Sequence, residues 1–231
     1  MGVSVGSSIY NAPSIYESGA GGGGGTEGEE GIGSIITPDG YKRILYIENN
    51  KQSSTFRTIF NVKDIDKECE FNFIIKFPLF DTFSPSSFQV LQSSKVKLMV
   101  RDMTQVYGTT YFEANFFGPV SYGSTINNVS NQITQVKLNK DGLFFNDNLI
   151  GSISVSDSGS ISIFDFAQTL QGELSSRDVY IYKFNVKKGN SYIYDCLPVV
   201  EIGTGKIGLF DFVDNLFFET INSIAGPEIP Y

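Results

Sequence analysis

The chain has 231 residues, 41% apolar and 14% aromatic, with 20 Phe and 12 Tyr but neither His nor Trp. Lack of histidine excludes a Ser-His-Asp triad, a Cys-His pair and every His-containing metal site. The net charge is −8, and residues 1–40 hold Glu17, Glu27, Glu29, Glu30 and Asp39 without a Lys or Arg, so the remainder is near neutral. No basic patch is present to neutralise phosphates, which argues against nucleic acid as a partner, and no run of 18 apolar residues suits a membrane span.

Residues 1–40 read as an extended arm. The run Gly19 to Gly25, broken only by Ala20, forms no side-chain contacts and loses much backbone entropy on ordering. One reading is a flexible acidic linker. The other rests on Val3, Val5, Ile9, Tyr10, Ile15 and Tyr16, apolar residues that a solvated tail does not need. They suit a segment that docks in a groove or adds a strand to a sheet edge. The first residues lack the basic and apolar regions of a signal peptide, so the chain is expected to be made in a cytoplasm.

From Tyr41, after the turn signal Pro38-Asp39-Gly40, the texture becomes that of strands. Tyr41–Ile47 opens the series. Glu68–Phe73 and Lys95–Leu98 alternate polar and apolar with period two, as half-buried strands do. Thr110–Phe116 and Ile133–Leu138 follow, and Asp141-Gly142 signals a hairpin into Leu143–Phe145. A second turn at Asn146–Asn148 precedes Leu149–Val155. Ser160–Phe164 and Val179–Phe184 complete the set. No helical apolar period persists for twelve residues, so the expectation is one all-β sandwich or barrel over residues 41–231.

Three blocks carry a family resemblance. Val136 to Gly151 resembles the strand, turn and hairpin succession of concanavalin A-like (laminin-G-like) jelly rolls, and Asp178–Phe184 resembles a later strand of theirs. Gly205-Lys206-Ile207-Gly208-Leu209-Phe210-Asp211-Phe212-Val213-Asp214-Asn215-Leu216-Phe217-Phe218 is similar to an ending that recurs in structural proteins of tailed bacteriophages. Tyr41–Glu48 resembles their opening strand. The following stretch, Thr55–Ile59, lacks the acid and glycine usual there, and residues 50–130 match in texture only. The resemblance implies a single antiparallel jelly-roll β-sandwich preceded by the glycine-rich arm.

Candidate chemistry is sparse. Val199 to Lys206 ends like a phosphate loop, but Val200 replaces the first glycine and Ile207 the magnesium-binding hydroxyl. Glu68-Cys69-Glu70 places two acids on one side of a strand, the nearest approach to a glycosidase pair, yet the third acid is missing. Asp141, Asn146, Asp147 and Asn148 offer oxygens for calcium, as in laminin-G-like relatives, and are also ordinary turn formers. Cys69 and Cys196 are a disulfide or two buried thiols. Asn128-Val129-Ser130 fits a glycosylation sequon.

Together these readings imply no enzyme, no catalytic residues, no metal and no cofactor. The expected protein is a virion component of a tailed phage, a head-decorating or head-fibre jelly roll made in the host cytoplasm and anchored by its arm. Its partners would be other virion proteins of the capsid or tail, with a homo-oligomer and a glycan both compatible, and neither nucleic acid nor membrane. The alternative is a carbohydrate-binding tail or fibre adhesin.

Overall fold

Alternation in the sequence becomes alternation of burial. Along Cys69–Lys76, Phe71, Phe73 and Ile75 are buried while Glu70, Asn72 and Lys76 stay half-exposed. The same period runs through Ile133–Asn139. A computed structural model describes residues 37–49, 56–77, 86–103, 109–123, 131–169 and 179–229. The candidate docking residues Val3, Val5, Ile9, Tyr10, Ile15 and Tyr16, the glycine-rich run and the sequon at Asn128 lie outside the described residues.

The described residues contain strands and no helix. In chain order these are β1 (Tyr41–Arg43), β2 (Ile47–Asn49), β3 (Arg57–Ile65), β4 (Cys69–Lys76), β5 (Ser86–Gln92) and β6 (Val96–Met103). Next come β7 (Thr109–Phe116), β8 (Ser121–Gly123), β9 (Ile133–Asn139), β10 (Gly142–Phe145), β11 (Asn148–Gly151) and β12 (Ile161–Thr169). The last are β13 (Tyr180–Lys188), β14 (Ser191–Glu201), β15 (Ile207–Asp211), β16 (Leu216–Ile221) and β17 (Ser223–Ala225).

Every pairing is antiparallel, and two runs of neighbours emerge. One is β11-β10-β9-β4-β13-β14-β15-β16. The other is β8-β7-β6-β5-β12-β3-β16. Strand β16 belongs to both: Leu216–Glu219 pair with β15, and Thr220–Ile221 pair with β3. The architecture is therefore all-β and antiparallel, and it is compatible with a β-sandwich.

Aromatic rings join the two runs face to face. Phe184 of β13 lies 4.5 Å from Phe166 of β12 and 4.9 Å from Phe60 of β3. Phe73 meets Phe166 at 5.4 Å, and Phe71 meets Phe164 at 5.5 Å. These rings are almost wholly buried, and each contributes about 1.5–3 kcal/mol by leaving water. Buried phenylalanines thus supply much of the core that the composition called for.

The segment 41–49 enters where the arms of the β13–β14 hairpin part. β1 pairs with β14, β2 pairs with β13, and β17 pairs back onto β2. Pro38 and Gly40 already belong to this unit, since their carbonyls accept N–H bonds from Tyr41 and Ile202.

Four local expectations need correction. The opening run Tyr41–Ile47 divides into β1 and β2, with only an isolated bridge at Ile44 between them. Glu68 sits in the turn before β4 rather than on the strand, because Asp66 accepts its N–H and closes that turn. The β9–β10 turn centres on Lys140-Asp141, with Gly142 opening β10 opposite Asn139. The strand read to Val155 ends at Gly151. Beyond it, Ser156 and Asp157 donate their N–H groups to the Phe117 carbonyl instead of a ladder. That carbonyl is presented by a left-handed backbone, φ 48° at Phe117, and any side chain at Gly118 would strike the Ser154 carbonyl.

Candidate functional site

The acids singled out from the sequence do meet at a site. Glu68, Cys69, Glu70, Asn139, Lys140, Asp141 and Gly189 line a shallow polar hollow of about 200 Å³. Its groups are committed to one another. Lys140 Nζ donates to Glu68 at 2.6 Å, and Glu70 accepts from Asn72 at 2.9 Å and Asn139 at 2.8 Å. The Lys140 hydrogen bond holds the Glu68 carboxyl below its ordinary range, whereas a glycosidase acid needs the opposite shift. Nearby, Lys188 holds the Asp66 carboxyl down in the same way.

The Asp and Asn residues of the hairpins act on the backbone. Asn139 Oδ1 accepts from the N–H groups of Asp141 and Gly142. Asn146 and Asp147 form a two-residue turn with φ 47° and 62°, the mirror-image turn that suits a twisted hairpin. Asn146 Oδ1 accepts from Gln135 N–H at 3.0 Å. Among the described residues no group of three or more Cys, Asp or Glu is placed to share a metal ion.

Val199–Glu201 end β14, and residues 202–206 are the β14–β15 turn. Its Lys206 donates to Glu219 at 2.7 Å, and Thr204 hydrogen-bonds to Glu201. Cys69 and Cys196 are both free and buried. Burial pushes the Cys69 thiol up to about 11 and raises Cys196 well above its ordinary value, so neither is a ready nucleophile at neutral pH.

One concavity escaped the reading of the sequence. Between β3 and β16 lies an open groove of about 450 Å³ lined by Ile59, Asn61, Leu216, Phe217, Phe218, Glu219 and Ile221. Ile59, Leu216 and Ile221 are 37%, 43% and 39% exposed, high for such side chains. Phe218 forms its floor, packing on Phe60 at 4.3 Å, and the Tyr194 hydroxyl donates to the Asn61 carbonyl at 2.8 Å. The available signal was the pair Ile59-Phe60, which puts an apolar residue on each face of β3 where alternation would spend only one.

Comparison with known proteins finds no matching family model and no matching curated sequence.

Proposed function

We propose that this chain is a non-enzymatic virion structural protein of a tailed phage. It is a concanavalin A-like jelly roll that decorates the head or forms a head fibre, and residues 1–40 attach it to a capsid or tail partner. The supporting observation is the block Gly205–Phe218. The residues that resemble the phage ending are those that build β15, its turn and β16, the strand common to both runs. The engaged acids and the inert thiols agree with a role in binding or scaffolding.

Deleting residues 1–36 tests the attachment, and it spares the hydrogen bonds of Pro38 and Gly40. The truncated protein should fold yet no longer join particles; incorporation at full occupancy would overturn the reading.

A second reading, a glycan-binding adhesin, is favoured by one observation. The register sets Phe144, Lys137, Asn72, Asn185 and Asp195 in a row across neighbouring strands, all partly exposed but the buried Asn185. Such amides, charges and a ring are the groups that sugars engage. Saturable signals on a glycan array that Asn72→Ala abolishes would support it, and a silent array would remove it.

A further inference from the structure

Among the described residues strands of this fold part company in two places, and described residues fill one of the two gaps. The arms of the β13–β14 hairpin diverge, and residues 41–49 occupy the space, β1 along one arm and β2 along the other. Strands β3 and β16 diverge in the same way. Their ladder holds only Thr58↔Thr220 and Arg57↔Ile221. Beyond it, β16 follows β15 and β3 follows β12. The groove between them is therefore the space a strand would take. Among the described residues the β3–β16 ladder stops at Thr58, and past it the Asn61 carbonyl accepts from the Tyr194 hydroxyl rather than from a strand. A sheet edge of this kind recruits an extended chain through its backbone, with side-chain pockets setting preference.

The lining defines the occupant. Glu219, the charged residue of the groove, is already neutralised by Lys206 at 2.7 Å. What remains is an uncharged slot rimmed by Ile59, Leu216 and Ile221, so the complementary chain is uncharged and apolar at alternate positions. This protein carries such a segment. Met1–Tyr16 has no Asp, Glu, Lys or Arg, and Val3 and Val5 flank Ser4. The stretch from Glu17 to Ile36 reaches up to about 70 Å when extended, far enough to cross to another molecule.

We infer that the β3–β16 groove takes residues 1–16 of a second copy of this chain as an added strand. Each copy is then both donor and acceptor, a heterologous contact that propagates into a ring or an array. The inference rests on the reading of the arm as an attachment segment and names another copy as a partner of it.

Sedimentation velocity of the full-length protein over a concentration series, with amide exchange, tests this. The mass should rise with concentration, and amides of Arg57–Ile65 and Leu216–Ile221 should slow in the associated form. Excess synthetic peptide Met1–Tyr16 should restore monomer. Ile59→Lys and Ile221→Glu place charges opposite Asp165 and Arg57, so the fold tolerates them. Each should weaken association by at least about tenfold. A monomer at every concentration overturns the inference, and so does association that neither variant weakens. Should deletion of residues 1–36 block particle entry while both variants enter and associate normally, attachment by the arm stands and this inference falls.

Discussion

At the residue scale, buried positions resist replacement for different reasons. Phe184 touches Phe60, Phe71, Phe164 and Phe166, so Phe184→Ala empties the centre of the core. It should cost about 3–5 kcal/mol in urea-unfolding experiments. Gly208 has the opposite problem. A Cβ there would strike the Phe218 carbonyl and the Phe217 ring, so Gly208→Ala overpacks the β15–β16 pair and should cost about 1–3 kcal/mol.

Asp157 gives a pH signature. It receives Lys95 Nζ at 2.7 Å on both oxygens and the Gly159 N–H at 2.7 Å, and these bonds, Lys95 first, lower its pKa from 3.8. A carboxyl depressed in the folded state stabilises above its unfolded pKa, and that stabilisation disappears as pH falls through the folded value. The unfolding midpoint should therefore drop on acidification below 3.8. Asp157→Asn should flatten that drop, and an unchanged acid profile would show that the pair contributes nothing.

At the scale of elements, turn chemistry sets the register. The β10–β11 hairpin needs positive φ at Asn146 and Asp147. Asn and Asp tolerate that backbone, and β-branched residues do not. Asp147→Val should destabilise by about 1–2 kcal/mol while Asp147→Asn stays close to wild type, read by thermal melts. Asp211 secures the last hairpin from within. It is fully buried and accepts N–H bonds from Asp195, Val213 and Asp214. Asp211→Ala strands those donors and should cost about 1–3 kcal/mol for each left unsatisfied, with faster amide exchange across residues 211–216.

At the scale of the whole molecule, distant parts of the chain close the structure. Residues near 45 pair with residues near 227, and Arg57 pairs with Ile221. These contacts require large loops to close before they stabilise anything. Refolding should accordingly run in about milliseconds to seconds, slower than a helical bundle of similar length, as stopped-flow fluorescence of the tyrosines would show. The exposed groove is likewise a whole-molecule property, since β3 and β16 are separated by some 150 residues.

What the sequence determined by itself was local and periodic. Alternation marked β4, β6, β7, β9 and β13, and the clustered Phe, Gly and Asp of 205–218 marked the closing hairpin, because side-chain period and turn preference act within a few residues. Within 50–130 the other strands were poorly legible: β5 and β8 carry little alternation, and β3 shows apolar residues on both faces. Tertiary structure alone decided that Glu68 pairs with Lys140 and Glu70 accepts from Asn139, and that segment 41–49 fills one gap between strands while another stays open among the described residues. Pairing partners are chosen by long-range packing, which leaves no periodic trace in either strand. A groove formed where two distant strands diverge can be read only after both have been placed.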